Sequence, residues 1–182
     1  MDRTDRTDRT DRRAGGWAGR WGGALLALGA LLAFPLGAEA QGGKAVGTVI
    51  EAVTVNDLDG NPFDFATVLG KRPVVVQFWA TWCSVCEALM PAMRAAKAEF
   101  GDRVEFIGVN VTVNQSPARV RRYLEEHNPP FRTLYDNRGV VVRAFEAPAT
   151  GFVAILGADG KVAYTGIGER QDLVGALRRV VK

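Results

Sequence analysis

An apolar run that ends just before the chain's two cysteines constrains the fold more than any other feature. Residues 73–79 (PVVVQFW) are almost all apolar, which is typical of a central strand covered on both faces. From residue 84 to residue 100 the apolar side chains recur at helical spacing. Cys83 and Cys86 therefore lie where a buried strand gives way to a helix.

The rest of the chain alternates between strand and helix patterns. Apolar and β-branched runs predict strands over residues 49–55, 104–111, 131–134, 152–156 and 162–166. Helices are predicted over residues 116–127, 140–146 and 171–181, the first of them opened by an N-cap serine and a first-turn proline. Turn residues lie at 59–62, and Asp159-Gly160 predicts a hairpin between the strands over residues 152–156 and 162–166. Strands separated by helices predict an α/β fold with a mostly parallel sheet and helices on both faces.

Residues 1–40 contain the three parts of a secretory signal peptide. Three Asp-Arg-Thr triplets and further arginines precede an uncharged apolar run over residues 22–37, and Ala38-Glu39-Ala40 supplies the small residues that a signal peptidase reads. Cleavage there leaves Gln41 first, so we predict a leader over residues 1–40 and one domain over 41–182. An uncleaved membrane anchor is the alternative, although the run is shorter than the about 20 residues that span a bilayer.

Composition excludes two classes of partner. Basic and acidic residues are mixed along the chain, with a net charge of +3, so no nucleic-acid partner is predicted. Two cysteines and one histidine cannot complete a Cys/His zinc site. We therefore predict no bound metal.

A cysteine at the start of a helix is well placed for thiol chemistry. Backbone N–H groups and the positive end of the helix dipole favour the thiolate there, and the thiolate is the form that attacks a disulfide. The second cysteine follows three residues later, one turn into the helix, so the two sulfurs can bond to each other. Cys83 is therefore predicted to attack a substrate disulfide, and Cys86 to displace the mixed disulfide that results.

Three structural explanations compete with redox chemistry. A structural disulfide across two intervening residues would stabilise the fold by only about 2 kcal/mol on the loop-entropy model. Half of a zinc site would need two more ligands, and His127 lies far along the chain. Two buried free thiols would tend to oxidise in an exported protein. The strand–CxxC–helix context favours redox chemistry over all three.

Residues 74–91 (VVVQFWATWCSVCEALMP) resemble the strand, the FWATWCxxC motif and the helix proline of the thioredoxin fold, and within it of the exported TlpA/ResA-type thiol-disulfide oxidoreductases. The resemblance covers residues 46–182, and residues 116–134 resemble the insertion that separates this subgroup from plain thioredoxin. It implies a thioredoxin-like α/β fold, with a central mixed β-sheet flanked by helices on both faces. Pro91 stands inside the helix after the cysteines and should kink it.

The resemblance also implies a substrate-binding surface. Pro148 stands where the family has a cis-proline that faces the disulfide, and it would leave the backbone of Ala147 free to pair with a substrate strand. Trp82, beside the nucleophile, is expected to shield the sulfur and to line that surface. The alternative for residues 147–150 is an ordinary rigid turn before a strand.

Several positions depart from the family pattern. The dipeptide Ser84-Val85 has neither the proline that most relatives carry between the cysteines nor the histidine typical of strong oxidants. Gln77 stands where thioredoxin has a buried acid, and Leu89 where many TlpA/ResA-type proteins have a glutamate that helps the resolving thiol lose its proton. Neither side chain can act as a base, so loss of the Cys86 proton would rely on water or on Glu87.

We therefore expect a periplasmic or otherwise exported thiol-disulfide oxidoreductase that reduces protein disulfides and needs no bound cofactor, because electrons enter and leave through the cysteines. Apocytochrome c thiols and other exported cysteines are compatible substrates. Outside the cytosol such a reductase needs a membrane-bound electron donor, while the cleaved protein itself would not stay inserted in the membrane. The alternative is a non-catalytic chaperone that holds Cu(I) through Cys83 and Cys86, although no well-placed histidine or methionine supplies a third ligand.

Leu89→Glu should speed the resolution of the mixed disulfide by Cys86 near neutral pH, because it supplies the base that the family pattern places there. Stopped-flow traces of the wild type and the variant measure the resolution rate. Identical rates would contradict this prediction.

Overall fold

The computed structural model describes residues 42–182, so the predicted leader over residues 1–40 lies outside the described residues. The strands are β1 (Thr54–Asn56), β2 (Pro62–Asp64), β3 (Val74–Trp79), β4 (Glu105–Asn110), β5 (Arg132–Tyr135), β6 (Phe152–Leu156) and β7 (Val162–Ile167). The helices are α1 (Ser84–Ala88), α2 (Met90–Phe100), α3 (Pro117–His127), α4 (Val140–Phe145) and α5 (Leu173–Val180). Within residues 42–182, every helix is too short or too polar to cross a bilayer.

Five of these strands form one mixed sheet in the order β5-β4-β3-β6-β7. β3 runs parallel to β4 and β4 runs parallel to β5, whereas β6 is antiparallel to both β3 and β7. The mixed sheet implied by the family resemblance is confirmed. The hairpin predicted for residues 152–156 and 162–166 is confirmed, with a tight turn at Gly160 (φ 77°) between β6 and β7. The mostly parallel sheet predicted from the alternation of patterns is wrong, because β6 also pairs antiparallel with β3, so two of the four strand pairs in the sheet are antiparallel.

β3 lies at the centre of the sheet and contributes to a core on each face. All six of its residues are buried. On one face Val74, Val76 and Phe78 pack with the β1–β2 hairpin and α4. On the other face Val75 packs with α2 and α5, and Trp79 packs with the two cysteines and α3. Helices therefore cover both faces of β3, as predicted.

The first predicted strand, over residues 49–55, is shorter than expected. β1 covers only Thr54–Asn56 and pairs with β2 in a separate two-stranded hairpin. Val49 instead makes an isolated antiparallel bridge to Lys161, the residue before β7. The chain changes its pairing partner between these two points, and one continuous strand cannot serve both partners.

The predicted helix over residues 84–100 is interrupted at Leu89. α1 ends at Ala88, α2 begins at Met90, and Pro91 lies in the first turn of α2. A proline is tolerated there because the N–H that it lacks would have no partner within the helix. The kink predicted at Pro91 thus takes the form of a break at Leu89, which separates the short cysteine helix from the longer core helix.

Gly108→Ala should destabilise the sheet. Gly108 lies on β4 opposite Gln77, and a Cβ at this position would collide with the ring of Phe131. Overpacking of this kind costs about 1–3 kcal/mol, so denaturant unfolding should show a lower free energy of unfolding. The double variant Gly108→Ala/Phe131→Leu should recover part of the loss. Wild-type stability in the single variant would contradict the proposed packing.

Candidate active site

Cys83 and Cys86 form a disulfide just beyond the carboxyl end of β3, with their Cα atoms 5.3 Å apart. Cys83 is the N-cap residue of α1, and the backbone N–H of Cys86 donates to the Cys83 Sγ at 3.1 Å. Cys83 keeps 8% of its surface exposed, against 2% for Cys86. Once the disulfide is reduced, this backbone donor favours the thiolate at the more accessible of the two sulfurs.

The loop after β4 holds Trp82 beside the cysteines. β3 and β4 are parallel, so both end at the same edge of the sheet. The Trp82 Nε1–H donates to the Val113 carbonyl at 2.7 Å, and the Thr81 N–H donates to the Gln115 Oε1 at 3.0 Å. Half of the Trp82 surface remains exposed, so its indole is oriented by the loop and still accessible to a partner.

The same loop contains a strained residue. Thr112 has φ 61°, in the left-handed region that a β-branched residue rarely adopts. The Val113 N–H donates to the Val111 carbonyl at 2.8 Å, which closes a three-residue turn around Thr112. This turn places the Val113 carbonyl against the Trp82 indole, so the strained backbone helps to orient a side chain of the site.

Trp82 forms one wall of a cavity of about 410 Å³. Ala147 and Pro148 form another wall, so the structure brings the three predicted substrate-binding residues together. The other lining residues include apolar and small side chains from the loop after β4, from α4 and from the stretch before β6: Val111, Val113, Val142, Ala149 and Thr150. The cavity is therefore large enough to hold an apolar side chain beside Trp82.

Pro148 differs from the expectation in two respects. Every peptide bond within residues 42–182 is trans, so the expected cis-proline is wrong, and Pro148 packs against Gly42, where an added Cβ would lie 2.8 Å from its Cγ. The Ala147 N–H donates to the Val142 carbonyl at 2.9 Å, so this N–H is not free for a substrate strand. The Ala147 N–H is bonded because α4 ends with Glu146 in the left-handed region (φ 50°), and at such a helix end the next N–H groups donate to carbonyls of the last turn.

Gly151 was not among the predicted site residues, yet it contacts the turn between the cysteines. Its φ is 80°, and a Cβ on it would lie 2.8 Å from the Val85 Cγ1. Its N–H donates to the Phe78 carbonyl at 2.8 Å. The sequence pattern did contain a sign that Gly151 lies near the site, because this residue directly precedes the predicted strand over residues 152–156. Once that strand is antiparallel to β3, with Val153 opposite Gln77, residue 151 must lie beside the end of β3.

The predicted supporting residues occupy contrasting environments. Gln77 is fully buried, and neither its Nε2 nor its Oε1 has a hydrogen-bond partner within residues 42–182. Leu89 is also fully buried, and burial would raise the pKa of a carboxyl introduced there. Glu87 is exposed on α1. The pKa of the Tyr123 phenol is raised, first by the burial of Tyr123 and then by the Glu87 carboxylate. Pro91 is exposed in the first turn of α2.

Comparison with known proteins agrees with this geometry. The family model described as Redoxin matches residues 45–178. The thioredoxin-like protein YneN of Bacillus subtilis is 32% identical over 88 residues, 48% of this chain, and the chain spans only 51% of that relative. The thiol-disulfide oxidoreductase ResA of Bacillus cereus is 26% identical over 129 residues, which are 69% of this chain and 73% of ResA.

A solved structure shows the same fold. The secreted Mycobacterium tuberculosis disulfide oxidoreductase homologous to E. coli DsbE superimposes with a TM-score of 0.60 at 26% identity, covering 70% of this chain and 95% of that one. The thioredoxin-like fold and the resemblance to TlpA/ResA-type proteins are confirmed.

Gln77→Met should stabilise the protein by about 1–3 kcal/mol, because it removes two buried polar atoms without partners and keeps the length of the side chain. Denaturant unfolding measures the change. Gln171→Met is the matched control and should lose stability, because Gln171 is buried and its Nε2 donates to the Gly168 carbonyl at 2.7 Å. Equal losses in the two variants would contradict the prediction.

Proposed function

Because the chain belongs to the Redoxin family and holds Cys83 and Cys86 as a disulfide beside β3, we propose that it is a thiol-disulfide oxidoreductase that reduces protein disulfides. Cys83 is the nucleophile and Cys86 is the resolving thiol. The observation that carries this assignment is the asymmetry of the pair. Cys83 caps α1, accepts the Cys86 N–H and is the more exposed cysteine, whereas Cys86 lies one turn deeper.

The proposed reaction starts from the reduced protein. The Cys83 thiolate attacks one sulfur of a substrate disulfide, so a Cys83–substrate bond forms and the other substrate sulfur leaves as a thiolate. The Cys86 thiolate then attacks the Cys83 Sγ, which releases the second substrate thiolate and closes the Cys83–Cys86 disulfide. Two electrons pass from the cysteine pair to the substrate. The two protons lost by the cysteines balance the two taken up by the substrate thiolates.

Cys86 must lose its proton in a buried position. Its Sγ lies 3.8 Å from the Phe78 carbonyl, which can accept a hydrogen bond from the reduced thiol but cannot remove the proton. We assign the acceptor role to water or to the adjacent Glu87 carboxylate, as Gln77 and Leu89 carry no base.

An apolar rim around the disulfide supports the docking of a substrate segment. We define the apolar rim as Trp82, Val85, Val113 and Ile167, whose surfaces are between 36% and 58% exposed. Exposed large apolar side chains that cluster in this way mark interaction surfaces on soluble proteins. Ile167 belongs to this group because the next residue along the chain donates its N–H to the carbonyl of Gly151, which contacts Val85.

Backbone donors stand next to the apolar rim. Within residues 42–182 the N–H groups of Ala149 and Thr150 have no hydrogen-bond partner, and both residues line the cavity beside Trp82. We assign main-chain pairing with an extended substrate segment to these two groups, in place of Ala147. An apolar side chain of the same segment would then enter the cavity.

We also propose that the protein works outside the cytosol, which the predicted leader over residues 1–40 and the likeness to a secreted mycobacterial protein support. A reductase in that compartment needs a membrane-bound electron donor to return Cys83 and Cys86 to the dithiol state. An oxidised cysteine pair of apocytochrome c is a compatible substrate, because its disulfide must be reduced to two thiols before haem attachment.

A Cu(I) chaperone would use the same cysteines and would need a further ligand. The chain's one histidine, His127, stacks on Tyr123 with ring centroids 3.9 Å apart, and its Nδ1 lies 3.0 Å from the Tyr123 carbonyl. No observation favours copper binding over disulfide exchange, so it remains an outcome of the test below.

Cys86→Ser should trap a mixed disulfide between Cys83 and a disulfide-containing peptide, since no thiol remains to resolve it. Mass spectrometry under non-reducing conditions identifies the adduct, and multiple-turnover reduction should fall by at least about a hundredfold.

Cys83→Ser is the matched control and should form no adduct. An adduct on Cys86 in that variant would reverse the two roles. A wild-type protein that binds stoichiometric Cu(I) and exchanges no disulfide would overturn the proposed function.

A further inference from the structure

Three hydrogen bonds hold Gly151 at the start of β6. Its N–H donates to the Phe78 carbonyl at 2.8 Å, and its carbonyl accepts the Gly168 N–H at 3.3 Å. The same carbonyl accepts the Gln171 Nε2–H at 3.0 Å. Gly151 therefore joins the ends of β3, β6 and β7 at the edge of the sheet where the cysteines lie.

Both the nitrogen and the oxygen of the Gln171 side-chain amide make hydrogen bonds. Its Nε2 donates to the Gly168 carbonyl at 2.7 Å as well as to the Gly151 carbonyl, and its Oε1 accepts the Tyr164 hydroxyl at 3.3 Å. Only 8% of Gln171 is exposed. Burial, and then the Asp172 carboxylate, raise the pKa of the Tyr164 phenol, so the hydroxyl keeps the proton that it donates. A buried amide with every bond made fixes the groups around it.

Gly151, which Gln171 holds through a hydrogen bond to its carbonyl, is also the residue that contacts the turn between the cysteines. Val85 stands between the cysteines, and its Cγ1 fills the space into which a Cβ on Gly151 would project, at 2.8 Å. Val85 lies on α1, which has only five residues and little stability of its own. Contact with Gly151 therefore supports the turn that carries the Cys86 N–H to the Cys83 Sγ.

We propose that Gln171 is a positioning residue for the Cys83–Cys86 pair: it clamps Gly151 against Val85 and so keeps the Cys86 N–H on the Cys83 sulfur. The proposal rests on the assignment of Cys83 as the nucleophile. Without the clamp, the first turn of α1 loosens, the thiolate loses a hydrogen-bond donor, and the pKa of Cys83 in the reduced protein rises.

The pH profile of Cys83 alkylation by iodoacetamide in the reduced full-length protein tests this directly, with Cys83 followed by peptide mass. Gln171→Met should move the midpoint upward by about one pH unit, and the alkylation rate below the midpoint should fall about tenfold. Tyr164→Phe, which removes only the bond to Oε1, should move the midpoint in the same direction by less.

A second pair of variants tests the contact between Gly151 and Val85 by changing these two residues themselves. Gly151→Ala should push Val85 away and raise the midpoint, and Gly151→Ala/Val85→Ala should bring it back to the value of Val85→Ala alone. Gly60→Ala is the matched control, because Gly60 has nearly the same backbone (φ 84°) and open space around it. It should lower thermal stability without moving the midpoint.

Variants of Gln171 and Gly151 that melt at lower temperature but keep the wild-type pH profile would overturn the proposal and leave Gln171 a purely structural residue. Alkylation reads the thiol itself and needs no substrate. A protein that fails to reduce disulfides but shows the expected midpoint shifts would therefore refute the proposed function and keep the clamp.

Discussion

β3 is buried along its whole length and is hydrogen-bonded to a strand on each side, which fixes the position of its carboxyl end beside the cysteines. The redox site is assembled around that end. The cysteine turn continues directly from β3, and the parallel neighbour β4 delivers the loop that orients Trp82. The antiparallel neighbour β6 begins at the same edge and delivers Gly151. The position of each part of the site is therefore set by β3 itself or by a strand that is hydrogen-bonded to β3.

The cavity wall opposite Trp82 depends on a second buried interaction. The Asp136 carboxylate accepts the N–H groups of Val140, Val141 and Val142 at 2.7 to 3.0 Å. These are N–H groups that a helix start leaves without intrahelical partners, so Asp136 anchors α4. α4 in turn sets the position of Ala147 and of the stretch that leads into β6. The Asp136 carboxylate thus helps to position the α4 side of the cavity.

The parts of the fold that follow from local pattern were predictable. The apolar run of β3, the helical spacing after it and the Asp159-Gly160 turn each depend on residues close in sequence. The CxxC pair at the strand–helix junction followed from the same pattern, and its disulfide is present. The helix irregularity near Pro91 was also predictable, because proline cannot donate a backbone hydrogen bond, although the structure shows a break at Leu89 rather than a kink at Pro91.

What depends on strand register and long-range contact was not predictable. The family resemblance assigns the docking role to Pro148, whereas Gly151 lies beside Val85 because β6 is antiparallel to β3. Gln77 and Gln171 look alike in the sequence. Among the described residues Gln77 is buried without a hydrogen-bond partner, whereas Gln171 makes three hydrogen bonds, and only tertiary packing distinguishes the two. Strain at Thr112 has no local signature either, since threonine is a residue that ordinarily avoids φ 61°.

The equilibrium reduction potential of the Cys83–Cys86 pair, titrated against a dithiol buffer, tests most directly whether this protein donates electrons. A reductase should show a value near or below that of thioredoxin, about −270 mV. A value near about −120 mV, which belongs to strong oxidants, would contradict the proposed direction of electron flow.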